Sequence, residues 1–203
     1  PMQASTDTVG FMVRDFADAV LIRKALLGAK AARARPIEAQ PCIALIRTSH
    51  WDEADSCTHS VIEHVSARLR SVGAVVEEPA IAGQFDNFTD VAITIQKFEF
   101  AHWRAYEWEH HREQISEPLR EFIIEGQMTS FANYNQAQRD AAARRAEFDA
   151  LFHTYDLVLT PSAAGEALKL GYPTGSSNFN RMWSLLHCPS INLPVGTGPQ
   201  GLP

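Results

Sequence analysis

The stretch 42–78, CIALIRTSHWDEADSCTHSVIEHVSARLRSVGAVVEE, decides the fold class. It opens on CIALIRT, a short continuous apolar run of the kind a buried strand shows. From Asp55 through Val72 the apolar residues Val61, Val65 and Leu69 recur at fourfold spacing, which predicts a helix ended by Gly73. AVVEE then predicts a second strand. Strand, helix and strand in this order make a unit whose strands are parallel and whose crossover is right-handed, so the class is α/β.

Upstream, residues 15–27 carry Phe16, Ala19, Val20, Ala25 and Leu26 at helical spacings, with Asp15 as N-cap and Gly28 as the residue beyond the helix. Residues 29–41 (AKAARARPIEAQP) read as a basic, proline-punctuated connector. Downstream, residues 85–152 are almost wholly helical in pattern and predict a helical layer over the sheet. One segment runs to about His111, a break falls near Ser116-Glu117-Pro118, a short helix reaches Gly126, and a third starts from about Ser130. YDLVLTPSA predicts a buried strand ending in a loop with a proline. A helix with Phe179, Met182, Trp183, Leu185 and Leu186 follows a stretch rich in Gly and Ser, and PSINLPVG alternates Ile191 and Leu193 as a last strand. The whole of 1–203 reads as one domain without internal repeats.

Composition narrows the class further. An apolar fraction of 45% with 21% charged residues is ordinary for a globular domain with a real core. The net charge of −6 and the scatter of Lys and Arg among carboxylates argue against a nucleic-acid partner. No run of apolar residues is long enough to span a membrane. Cys42, Cys57 and Cys188 are widely separated and form no CxxC, which fits a reducing compartment and a cytoplasmic location. Pro1 is not an initiator residue, and GPQGLP stops on a turn-like sequence, so both ends read as cut.

Candidate chemistry is sparse. Glu99/His102 and Glu107/His110 are Glu-x-x-His steps of the kind that can share a metal on a helix. Both lie on one predicted helix, eight residues apart and off a common stripe, so a polar helix face is the favoured interpretation and no metal site is assigned. His110 and His111 diverge by about 100° on a regular helix and read as a solvated face. Gly175-Ser176-Ser177 lacks the further glycines of an oxyanion loop and reads as a helix cap. Thr160-Pro161-Ser162 sits where a strand gives way to a loop, the place at which open α/β sheets gather ligand contacts.

With these segments in order, the chain resembles the amidase-signature family over nearly its whole length. STDTVGFMVRDFADAVLI is similar to the family's S-x-D-x-x-G segment and the R-x-x-x-D-A helix after it, through Ser5, Asp7, Gly10, Arg14, Asp18 and Ala19. Gly126, Tyr134, Ala137, Arg139, Phe148, Tyr155, Asp156, Thr160 and Pro161 fall in the family's helix pair and following strand. FNRMWSLLHCPSINLPVGTGPQGLP is similar to its F-x-x-x-W…P-x-x-x-x-P…G-L-P element.

The resemblance implies an α/β/α sandwich around a mixed sheet, of which this chain carries part. It implies carboxamide hydrolysis through an acyl-enzyme, by a serine nucleophile, a second serine that relays protons, and a lysine base. No cofactor is expected. The lysine segment and the GGSSGGS-like signature belong before Ser5, so no catalytic residue transfers to this chain, and it is expected to be an amidase fragment, inactive alone. The implied substrate wall comprises Thr160, Ser162, Thr174, Phe179 and Trp183. The expected partner is a small amide, bound when the complementary half is supplied. The other reading is a non-enzymatic binding or assembly module that reuses the scaffold, with an exposed sheet edge through which copies of the chain could pair.

Overall fold

The computed structural model describes residues 2–28, 40–80, 88–171 and 175–203. These fall into two compact units, Pro1–Asp7 with Ala39–Pro203, and Thr8–Glu38. The smaller unit holds α1 (Phe16–Leu27), capped by Asp15, whose side chain accepts from the Asp18 amide, and followed by Gly28 at φ +68°. None of the residues of α1 is buried. Most of the connector read at 29–41, and Thr174 of the implied substrate wall, lie outside the described residues.

The larger unit is built on three parallel strands, β1 (Cys42–Leu45), β2 (Val75–Glu77) and β3 (Leu157–Leu159), in the order β2-β1-β3. The quoted stretch forms the strand–helix–strand unit its pattern predicts. Cys42 is paired with Val75 and Ala44 with Glu77 in parallel register. Between these strands runs α2 (Ser56–Ser71), whose cap Asp55 accepts from the Thr58 amide. The α/β class expected from the sequence is therefore the class observed.

The pleat sends alternate residues of β1 to opposite faces. Ile43 and Leu45 join Ile62 of α2 and Val76 of β2 in one buried cluster. Ala44 and Ile46 turn to the other face and join a larger cluster with Phe88, Ile95, Ala141, Phe148 and Leu185. Each such apolar side chain taken fully from water stabilises the fold by about 1.5–3 kcal/mol.

The second face is covered by helices. The expected long helix divides at Arg104 into α3 (Phe88–Trp103) and α4 (Ala105–His110). After a short 3-10 turn at Arg112–Gln114 come α5 (Glu117–Met128), with Pro118 in its first turn, and α6 (Phe131–Leu151). The cap of α6 is Ser130, whose hydroxyl accepts from the Asn133 amide. α3 packs on both α5 and α6. Gly126 lets α5 come close to α3, since a Cβ there would run into the Lys97 carbonyl oxygen and the Ala101 methyl. The last helix is α7 (Asn178–Leu185), which buries Phe179, Met182, Trp183 and Leu185.

The last expected strand does not form. Ile191, Leu193 and Val195 are exposed by 72, 63 and 51%, and among the described residues no backbone hydrogen bond involves their amides. Alternating side chains make a strand only when a neighbouring backbone takes up the ladder, and among the described residues none pairs with this segment.

Candidate functional site

The carboxyl ends of parallel strands are where open α/β sheets gather ligands, and here the loop after β1 meets the first turns of α3 and α7. After β1 the chain turns sharply at Thr48, whose φ of +40° is unusual for a β-branched residue. The Thr48 hydroxyl accepts from the His50 amide at 3.3 Å. A 3-10 turn, Trp51–Glu53, follows.

This turn places His50 in a chain of hydrogen bonds. Its Nδ1 lies 2.5 Å from Glu53 Oε1 and its Nε2 2.8 Å from Thr89 Oγ1 in the first turn of α3. The other Glu53 oxygen accepts from Asn178 Nδ2 of α7 at 3.0 Å. Glu53 is held below the usual carboxylate range, first by His50 and then by Asn178. The Phe179 ring lies 6.5 Å from the imidazole, tilted by 57°.

Beside it stands an ion triplet. Arg47 bonds Glu63 of α2 at 2.5 Å and also Glu78 beyond β2. Its guanidinium stands 5.3 Å over Trp51, which stacks on His59 at 4.2 Å. Arg47 holds its proton more firmly than usual, chiefly through the hydrogen bond to Glu78.

The substrate-wall residues named from the sequence take several positions. Thr160 follows β3, and its Oγ1 is buried without a hydrogen-bond partner among the described residues. Ser162 is exposed, and its carbonyl accepts from Asn180 Nδ2 at 2.8 Å. Phe179 is fully buried between Asn178 and Asn180, the two residues that tie α7 to the loops after β1 and β3. Trp183, one turn on, packs 5.8 Å from Phe148, with its Nε1 buried and unpartnered among the described residues. The structure therefore brings Ser162 and the first turn of α7 together, with the buried Phe179 beneath them, and sets Trp183 in the core cluster beside Phe148.

A second polar cluster lies elsewhere, around Glu99. This carboxylate, only 6% exposed, accepts from the Ser5 amide at 2.8 Å, the Ser5 hydroxyl, Tyr134 Oη at 2.9 Å and Gln138 Nε2 at 3.2 Å. Burial first, and the hydrogen bond to Glu99 among the further causes, push the Tyr134 phenol up. His187, at φ +56°, donates from Nε2 to the Ser5 carbonyl at 3.1 Å. Glu99 and His102 thus have separate partners, since His102 Nδ1 donates to the Phe98 carbonyl at 2.7 Å. Among the described residues no three His, Cys, Asp or Glu side chains are grouped so as to hold a metal ion.

Sequence reasoning missed His50, Glu53, Thr89 and Asn178. His50 and Glu53 share one turn at a three-residue spacing, which was the one available signal. Thr89 is 39 residues from His50, and only tertiary folding brings them together. No helix among the described residues is long and apolar enough to cross a membrane.

The family model for amidase matches residues 1–203. No curated protein matches the sequence. Among solved structures, the fold is similar to the crystal structure of an amidase, with a TM-score of 0.75 at 21% identity over 92% of this chain and 45% of that one. It is similar as well to an inhibitor-bound vestigial protein complex described for the evolutionary origins of an s-triazine catabolic enzyme (TM-score 0.59, 18% identity, 74% and 34% covered). A third likeness is to a bacterial aryl acylamidase of the amidase-signature family (TM-score 0.53, 15% identity, 72% and 34% covered). This chain spans less than half the length of each of these structures.

Proposed function

Because the chain belongs to the amidase family, we propose that it is the scaffold and substrate-wall part of a carboxamide hydrolase, and that alone it does not cleave amides. The observation that carries this reading is the 45% span of a solved amidase, which leaves more than half of that fold without a counterpart in residues 1–203. The serine nucleophile, its proton-relay serine and the lysine base have no matching positions in residues 1–203, and without a nucleophile and base there is no acyl-enzyme route. The wall itself would be Thr160, Ser162, Thr174, Phe179 and Trp183. In its support, the Thr160 hydroxyl at the carboxyl end of β3 is a buried polar atom without a partner among the described residues, and such atoms carry a cost that a bound polar ligand removes.

The test is direct. The purified chain is assayed for ammonia and amine release from simple aliphatic and aryl amides, and no turnover above buffer is expected. Turnover that disappears when one serine of this chain is replaced by alanine would refute the reading.

A second reading, an assembly module that completes its sheet with another chain or a copy of itself, draws support from the open sheet. β2 and β3 each pair on one side only among the described residues, and Leu157 of β3 is 45% exposed. Edges of this kind invite pairing. Light scattering separates the two, because a monomer at all accessible concentrations argues against self-assembly.

A further inference from the structure

The hydrogen-bond chain at the end of β1 has the layout of an activated nucleophile. A hydroxyl, an imidazole and a carboxylate stand in line, with 2.8 Å from Thr89 Oγ1 to His50 Nε2 and 2.5 Å from His50 Nδ1 to Glu53 Oε1. These fall at or near the reach such arrangements require. The carboxylate accepts the Nδ1 proton, which leaves Nε2 as an acceptor facing the threonine hydroxyl. Asn178 holds the second Glu53 oxygen, so the carboxylate is oriented from two sides. The imidazole side chain is 17% exposed, and Thr89 is partly exposed, so a reagent can reach them from solvent.

We propose that Thr89, His50 and Glu53 form a relay through which Thr89 accepts an acyl group from an activated ester, independently of amide hydrolysis. Thr89 Oγ1 bonds to the acyl carbon while its proton passes to His50 Nε2 and on to the departing phenolate, which leaves with the electrons of the broken ester bond. Water then attacks the threonyl ester, its proton passes through His50 to Thr89 Oγ1, and a carboxylic acid is released. Among the described residues His50 is the only side chain hydrogen-bonded to Thr89 Oγ1, so no second side-chain donor is fixed beside that hydroxyl for an oxyanion. Loss of a single such donor already costs on the order of a hundredfold in rate or more. The substrate class is therefore acyl groups on good leaving groups, such as aryl esters.

The probe is p-nitrophenyl acetate with the full chain, followed by peptide mapping of acetyl adducts. The expected result is an acetyl group on Thr89 that persists in Thr89→Ser, is lost in Thr89→Val, and forms about a hundredfold more slowly in His50→Gln. Thr89→Ser keeps the hydroxyl and guards against a variant that merely fails to fold. Acetylation confined to lysines and cysteines, or labelling of Thr89 at an unchanged rate in His50→Gln, would overturn the proposal.

Discussion

Residues 42–45 and 190–195 carry the same kind of code, short apolar patterns suited to strands, and they meet opposite fates. β1 lies between β2 and β3, with Ile43, Ala44 and Leu45 exposed by 4, 0 and 2%. Ile191, Leu193 and Val195 stay in water, and no backbone among the described residues pairs with them. The difference lies in the neighbours, because a strand is a property of a pair of backbones. Among the described residues the sheet has β2 and β3 as its edges while this strand-coded segment stays unpaired, and the chain spans 45% of a solved amidase.

Substitutions can break this contrast. Leu45→Ala removes a side chain buried between β1 and α2 and is expected to cost about 2–5 kcal/mol in urea unfolding. A loss no larger than that of an exposed leucine would mean that β1 is not the centre of the fold. Glu99→Ala leaves the Ser5, Tyr134 and Gln138 donors facing a cavity, with an expected loss of about 1–3 kcal/mol. Asp55→Ala removes the cap of α2, and a loss of about 1 kcal/mol should follow.

Two smaller effects sharpen the comparison. Leu193→Ala should stay within about 0.5 kcal/mol of the parent, as surface replacements do. Tyr134 adds a dependence on pH. Its folded phenol is raised, so its contribution is fully present below the unfolded value of about 10 and is lost as pH rises through the folded one. Stability followed by circular dichroism in alkali should therefore fall less steeply in Tyr134→Phe.

Much of this fold was legible in the sequence, wherever the cause was local. Asp15 caps α1 as read, and the helix starts read at Asp55 and Ser130 fall on the residues that cap α2 and α6, because a cap needs only a side-chain oxygen two or three residues ahead of a free amide. Val61, Val65 and Leu69 marked α2 through a helical stripe, and continuous apolarity marked β1. The miss at 190–195 has the opposite character, since alternation states what a strand would bury and cannot supply the strand beside it. The site was less legible. Thr160 and Ser162 could be placed at a strand end from their position alone, whereas the His50, Glu53 and Thr89 contacts depend on a turn at Thr48 and on how α3 meets the sheet. Glu99 was read as one half of a Glu-x-x-His step, and its actual partners come from Ser5 and from α6, far away in sequence.

The open end of the sheet can be measured directly by amide hydrogen exchange on the isolated chain, with its mass in solution determined on the same sample. The amides of 43–45 should exchange only with global unfolding, and those of 191, 193 and 195 should exchange at nearly the rate of an unstructured peptide. Strong protection at 191–195 in a monomer would contradict the central claim, because the segment would then already have its strand partner within this chain.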